Sequence, residues 1–310
     1  MIMMMKGPSR AKQRRTGLGG LVYGTVESLG RSVRTRWFPS RQRQPLYRGS
    51  ALDDILFGQP VNLPLRLLRR LLGPRRMSVD GVSVIVVNFN SLDLLRDVLP
   101  AVRRFSPADT EIIVIDNSSR DGSWHWLKRR PFGILPVRIP VNVGHGRALD
   151  LGLLLARSPV VVTLDSDAFP FSSAWLDRLL APLLDPDIAA AGTTGPRDRL
   201  HPACAAYRRA AVLATGLSFH NFNLHRDLGE PPLFGINTWD TAELVFEALG
   251  REHVALLPVR EYPSGGGLTI DGVVYHHTAA TTSLTDDPEA VRAEKRRMWA
   301  EAVADLLPAT

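Results

Sequence analysis

The chain has 310 residues, 45% apolar and 22% charged, which is enough to bury one large core or one core plus an appendage and too apolar for a disordered protein. Cys204 is the single cysteine, so an intrachain disulfide and a cysteine-built zinc site are both excluded, as suits a reducing compartment. The net charge of +7 is unevenly shared: residues 1–78 hold 16 Lys and Arg against 3 Asp and Glu, and the remainder 22 against 28, so a basic partner surface belongs to the first quarter of the chain.

That first quarter reads as a basic extension, residues 1–78, partly helical. Leu18, Leu21, Val22, Thr25, Leu29 and Val33 recur at helical spacing ahead of Arg31, Arg34 and Arg36, and PLRLLRRLL mixes leucines with Arg66, Arg69 and Arg70. Basic amphipathic segments of this kind, here within residues 18–76, can lie on an anionic membrane surface; packing on the main domain or binding an acidic partner are the alternatives. MIMMMKGPSRAKQRR runs from apolar to basic, the reverse of a secretory signal, and no apolar run approaches the ~20 residues of a bilayer-spanning helix. A cytoplasmic location is expected, peripheral on the inner face of the cell membrane if the extension binds lipid. No motif that reads nucleic acid is present, so no specific nucleic-acid partner is expected.

From residue 79 the texture changes. GVSVIVVNFN is a buried strand followed by a helix with Ser91 as its N-cap, and EIIVIDNSSRDGSWHWLKRR repeats the unit, with a helix starting near Ser119–Ser123. ILPVRIP is a third strand, NVGHGRALDLGLLLAR a turn and helix, and SPVVVTLDSDAFP a fourth strand. Alternating strand and helix means βαβ units and a mostly parallel, Rossmann-like α/β sheet flanked by helices. Right-handed crossovers place the turns after Asn88, Asp116, Pro140 and Leu164 along one edge, where an open sheet of this kind binds its ligand. Those turns carry Asn88, Asn90, Asp116, Asn117, Asn142, Gly144, Arg147, Asp165, Ser166 and Asp167. With strand geometry continued, Asp165 and Asp167 project to one side, and two carboxylates so placed favour a hard cation such as Mg²⁺ or Mn²⁺. The bland alternative for Asp165 is a turn cap, and for Asp116 a helix cap.

VSVIVVNFN, EIIVIDNSSRDGS, NVGHGRALDLG and LDSDAFP, in this order and spacing, resemble the successive nucleotide-sugar motifs of the GT-A-fold family 2 glycosyltransferases. The VDNSSxDGS variant resembles the rhamnosyltransferase-like and other bacterial cell-envelope members. The resemblance runs from about Val82 to Thr278. It implies that Asn88 lies beside the nucleotide base, that Asp116 is the base-binding aspartate, and that Arg147 contacts the nucleotide or diphosphate. It also implies that Asp165 and Asp167 bind the metal, with Asp167 the more direct ligand. The donor-binding set is then Asn88, Asn90, Asp116, Asn117, Asn142, Gly144, Arg147, Asp165 and Ser166.

In the second half, DIAAAGTTG reads as a fifth strand, and HPACAAYRRAAVLATG as a short strand and a helix begun by Arg208–Arg209. Residues 217–238 hold no period and, given the resemblance, form an acceptor loop; long irregular segments inside a compact domain are commonly functional. TWDTAELVFEALG is an amphipathic helix with Leu244, Val245, Ala248 and Leu249 inward, and Asp240 and Glu243 form a capping-box-like pair at its start. This segment occupies the place of the family's catalytic carboxylate, although it lacks the family's Glu-Asp pair. Either Asp240 or Glu243 is the base that deprotonates the acceptor hydroxyl, with Asp240 favoured at the helix mouth.

His276 and His277 follow a late strand, where metal-dependent relatives carry a histidine at the cation. Alternation buries one and presents the other, and His277, beside Thr278, is the choice. SGGGL reads as a flexible loop. A C-terminal helix over 285–310 opens at Asp287-Pro288-Glu289, with Val291, Met298, Trp299, Val303 and Leu306 on its apolar side. The expected organisation is the extension, a GT-A domain over 79–284 (donor half 79–170, acceptor half 171–284), and that helix. The implied activity is inverting, metal-dependent transfer of a hexosyl or deoxyhexosyl group from a nucleoside-diphosphate sugar to a hydroxyl of a glycan, a lipid-linked acceptor or a small molecule. The alternatives are a sugar-phosphate nucleotidyltransferase and a non-catalytic nucleotide-sugar-binding scaffold. The first usually has a Gly-rich basic loop, absent from NFNSLDLL, and the irregular WDTAE segment keeps the second open.

Overall fold

Three β-branched runs, β1 (Val82–Asn88), β2 (Glu111–Asn117) and β4 (Val160–Asp165), lie side by side at the centre of the molecule. The computed structural model describes residues 81–195, 198–215, 217–220, 241–277 and 288–307. All of them fall in one compact unit, Gly49–Leu224 with Trp239–Thr310. The helices expected within residues 18–76, His225, the acceptor loop from residue 221 onward, Asp240, Thr278 and Asp287 lie outside the described residues.

The main sheet has the order β3-β2-β1-β4-β7-β6-β8, with β3 at Leu135–Ile139, β6 at Ala190–Thr194, β7 at Leu200–Arg208 and β8 at Val254–Leu257. Its pairs are parallel except where β7 runs antiparallel between β4 and β6. This is the expected mostly parallel α/β sheet. Burial on both faces explains the unbroken apolar runs. Val84, Val86, Ile112 and Val114 pack with Leu95, Val98 and Leu99 of helix α1 (Leu92–Phe105). Ile85, Val87, Ile113 and Ile115 pack on the other face with Ala148 and Leu149 of helix α3 (His145–Leu155). Helix α2 (Ser123–Leu127) lies between them in sequence. Gly152 lets α3 seat on β1, since a Cβ there would come within 2.4 Å of Ile85 Cγ2.

Ser91, the expected cap of α1, turns its hydroxyl back to the Phe89 carbonyl, and the Leu92 N–H instead donates to Asp121 at 2.8 Å. Asp121 also accepts the Ser123 N–H at 3.0 Å, so one carboxylate from the second unit caps two helices. The Arg208–Arg209 pair is structural. Arg209, at the start of helix α5 (Arg209–Thr215), donates from Nε to the Leu153 carbonyl near the end of α3, while Arg208 donates to Leu183 and Ile188.

A second, antiparallel sheet has the order β5-β11-β10-β9, built from Ala168–Pro170, Val274–His277, Gly267–Ile270 and Val259–Glu261. β5 follows the Asp165–Asp167 turn directly, which brings β11 beside that turn. The SGGGL stretch is a tight turn into β10, with Gly265 and Gly266 at φ +78° and +74°. The C-terminal helix α7 (Glu289–Leu306) packs Trp299 edge-on against Phe169 and donates the indole N–H to Asp97 at 2.8 Å. Val291, expected on the packed face, is 39% exposed, because only the turns around Trp299 and Ala302 reach the core. Among the described residues no helix is long and apolar enough to cross a membrane.

Candidate functional site

Parallel pairing sets the carboxyl ends of the central strands level, Asn88 opposite Asp116 and Val87 opposite Asp165. Asn88 and Asp116 are both fully buried, and Asn88 Nδ2 donates to Asp116 Oδ1 at 3.1 Å and to Ser119 Oγ at 2.9 Å. Asn88 Oδ1 and Asp116 Oδ2 have no hydrogen-bond partner, although Arg138 Nε stands 3.8 Å from the latter. Two buried acceptors left over at a strand edge are what a nucleobase pocket needs. Ser119, which the sequence reading passed over except as a helix start, also accepts the Asn90 N–H at 3.0 Å. Asn90, at φ +53°, accepts the Arg120 N–H at 2.7 Å. Asn117 and Asn142 shape the next turn: Asn117 Nδ2 donates to Asn142 Oδ1 at 2.9 Å, and that oxygen accepts the Gly144 N–H at 2.9 Å. These hydrogen bonds hold the loop into α3, with Asn117 buried and Asn142 exposed.

At the end of β4, Asp165, Asp167 and His276 each offer a ligand atom, all within 4.8 Å of one another. His276 Nε2 is 3.8 Å from Asp165 Oδ2 and 3.7 Å from Asp167 Oδ1. Burial pushes the His276 imidazole down to about 4 against the opposing pull of Asp165, which leaves its lone pair available to a metal. Two carboxylates and a neutral imidazole suit a divalent cation such as Mn²⁺, and the buried, unsatisfied Asp165 Oδ1 fits the same group. Ser166, between the aspartates, is buried in the turn.

His277, the sequence choice for this site, is not the histidine brought here. Alternation along β11 puts it on the face of Tyr275, 6.4 Å away ring to ring, and beneath Trp299 at 6.3 Å. Its backbone N–H donates to the Asp167 carbonyl at 2.9 Å. The covering helix, whose contact sequence does not show, decides which face is buried. His145, the first residue of α3, was not selected from sequence either; its Nε2 lies 3.3 Å from Asp165 Oδ1.

Gly144 reaches φ +87° to start α3, and Arg147, one turn in, is buried with 8% exposure. Beyond it Asp150 is 2% exposed and accepts hydrogen bonds from the Ser218 hydroxyl and the Phe219 N–H. Burial raises the Asp150 carboxyl to about 7, against the lowering effects of those bonds and of Arg147. Burial, aided by Arg147, lowers His220 to about 4.

The helix read from TWDTAELVFEALG is shorter than the sequence suggests: α6 runs Glu243–Leu249 and follows Ala242 at φ +68°. Its buried residues are Glu243, Val245 and Phe246, whereas Ala248, expected inward, is exposed. Starting at Glu243 rotates the inward face by one residue. The Glu243 carboxylate lies 3.7 Å from the Arg199 guanidinium, which also pairs with Glu247 at 2.5 Å.

Residues 83–214 match the family model described as glycosyl transferase family 2. No curated protein matches the chain. Among solved structures, a mannosyltransferase from Pyrobaculum calidifontis in complex with GDP-Man and Mn²⁺ is 26% identical over 54% of this chain and 57% of its own, with a TM-score of 0.40. TarS of S. aureus is 17% identical over 72% of this chain and 42% of its own, with a TM-score of 0.43. Glucosyl-3-phosphoglycerate synthase from Mycobacterium tuberculosis, with Mn²⁺, UDP and glucosyl-3-phosphoglycerate, is 19% identical over 74% and 81%, with a TM-score of 0.44. The chain spans about half the length of the first two.

Proposed function

We propose that the chain moves a hexosyl or deoxyhexosyl group from a nucleoside-diphosphate sugar to a hydroxyl acceptor, with inversion; the match of residues 83–214 to the glycosyl transferase family 2 model and the mostly parallel sheet that carries them support this reading. The observation that carries this reading is the grouping of Asp165, Asp167 and His276 at the end of β4, beside the unsatisfied Asn88 and Asp116.

Asn88 and Asp116 hold the nucleobase through their spare acceptor oxygens, and Arg147 supplies positive charge near the diphosphate. Asp165, Asp167 and His276 hold a divalent cation, Mn²⁺ or Mg²⁺. When bound, the cation supplies charge that stabilises the departing diphosphate. A carboxylate takes the acceptor proton as the oxygen attacks the anomeric carbon opposite the diphosphate, and one displacement inverts the centre. The pairing of Glu243 with Arg199 favours Asp240 for that base. The acceptor is a glycan, a lipid-linked saccharide or a small hydroxylated molecule.

Release of nucleoside diphosphate from UDP-, GDP- and dTDP-sugars, with Mn²⁺ or Mg²⁺ and with chelator, tests the reading. One donor class should bind and turn over only with metal, and Asp240→Asn should keep binding while losing transfer. If no donor binds in the presence of either metal, the transferase reading fails.

A further inference from the structure

Asp150 has no part in the chemistry above, yet it is a buried carboxylate with both oxygens hydrogen-bonded. It sits on α3 one turn beyond Gly146, with Oδ1 accepting the Phe219 N–H at 3.0 Å and Oδ2 accepting the Ser218 hydroxyl. Ser218 Oγ in turn accepts the His220 N–H at 2.9 Å, so the hydroxyl locks three successive residues. Phe219 is 1% exposed, its ring edge-on to Tyr207 of β7 with centroids 5.3 Å apart. Its carbonyl accepts the Ala242 N–H at 2.9 Å. Ala242, in the left-handed region at φ +68°, is the residue from which α6 starts, and its own carbonyl accepts the Phe246 N–H at 3.0 Å. Phe219 is thereby fastened through both backbone polar atoms, the N–H to the donor-side helix and the carbonyl to the residue before Glu243.

The close approach is built into the sequence at Gly146. A Cβ there would stand 2.4 Å from the Phe219 carbonyl oxygen and 2.5 Å from the His220 backbone. Backbone against backbone at this distance fixes the height of residues 219–220 on α3, and the Asp150 carboxylate fixes their direction. A buried carboxylate is a costly way to satisfy one hydroxyl and one amide if packing alone were needed, since apolar side chains fill space without that penalty. What it adds is direction, because two fixed acceptor oxygens define where Ser218 and Phe219 must lie.

We propose that Asp150 is a positioning residue that sets the acceptor-side helix Glu243–Leu249 in register with the donor-side helix His145–Leu155, acting through Ser218 and Phe219. Its consequence for catalysis rests on the transferase reading, in which Arg147 near the diphosphate and the single acceptor-side base must be held in register. The clamp itself does not rest on it.

Hydrogen exchange of the full chain at pH 7, read by mass spectrometry on peptides covering 241–249 and on the central strand 82–88 as reference, tests this. In Asp150→Ala, exchange at 242–249 should rise by about tenfold, the effect of losing one or two buried hydrogen bonds, with the reference strand unchanged. Asp150→Asn, whose Oδ1 can still accept the Phe219 N–H while its Nδ2 donates to Ser218 Oγ in place of the accepted hydroxyl, should return exchange to within about twofold of the parent, since both partners stay hydrogen-bonded. Unchanged protection at 242–249 in Asp150→Ala, an equal rise in both peptides, or no rescue by Asn would overturn the proposal. Should Asp150→Ala fail to fold, Ser218→Ala removes one bond and is expected to raise exchange about threefold at 242–249 alone; no rise there also overturns it. No donor is used in this measurement, so failure of the transferase reading appears in the nucleotide-release assay and failure of the clamp appears here.

Discussion

Asp150→Asn also has a thermodynamic signature that can be worked from the fold. The Asp150 carboxyl is raised from 3.8 to about 7, chiefly by burial. In the folded chain it therefore holds a proton over a pH range in which the unfolded chain has released it. The contribution to stability is full below about 4 and is lost as pH rises through about 7, at about 1.4 kcal/mol for each pH unit between. Over pH 5 to 8 the wild type should thus lose about 3 kcal/mol through this one group. His220 works in the opposite sense: lowered to about 4, it must stay neutral in the fold, so its contribution is lost as pH falls below 6.5. The two partly cancel in the wild-type profile, and only the difference between proteins isolates Asp150. Urea unfolding followed by tryptophan fluorescence, on wild type and Asp150→Asn at half-unit steps from pH 5 to 8, gives that difference. The variant should gain on the parent steadily as pH rises, by about 3 kcal/mol in all. Parallel stability curves would refute the reasoning, for they would mean that Asp150 is ionised in the fold at pH 5.

Three further outcomes are expected. His276→Ala should weaken Mn²⁺ binding, read by electron paramagnetic resonance, by about 10–100-fold, as loss of support at a metal site commonly does. His277→Ala should leave it unchanged and lower stability by about 1–2 kcal/mol through lost packing on Tyr275 and Trp299; the reverse pattern would restore His277 to the cation. Gly146→Ala should cost about 1–3 kcal/mol in urea unfolding, since backbone rather than a movable side chain meets the new Cβ; a loss below about 0.5 kcal/mol would show that residues 219–220 yield freely. Deleting residues 1–70, which carry most of the excess positive charge, should reduce sedimentation with anionic vesicles while donor turnover persists, and unchanged sedimentation would end the membrane-surface reading.

The alternating strands and helices from Val82 to Asp165 were legible because their signals are local. Each central strand is a β-branched run that stops at a polar residue, and parallel pairing brings Asn88, Asp116 and Asp165 level without any further information. What local pattern missed was made by partners distant in sequence. Asp121 caps α1 across 29 residues, displacing Ser91 from the role its position suggests. Ser119 is one polar residue among several in NSSRDGS until β1 and β2 lie side by side, and only then does it hold both Asn88 and Asn90.

The paired histidines show the limit most sharply. Strand alternation correctly states that His276 and His277 face opposite ways, but alternation has no sign; the sign comes from what covers each face. Trp299 arrives 22 residues later and is fixed by a hydrogen bond to Asp97, more than two hundred residues from it in sequence. Once that ring covers Tyr275 and His277, His276 is left facing the aspartates. The grouping of His276 with the two aspartates thus depends on a helix that contributes no residue to it. The same holds at the start of α6, where Ala242, the residue before Glu243, is held by the carbonyl of Phe219, a partner distant in sequence. Residues that do chemistry can be read from local pattern when one strand end supplies them. Where two segments must meet, the residue that joins them, Trp299 in one case and Phe219 in the other, is visible only once the chain is folded.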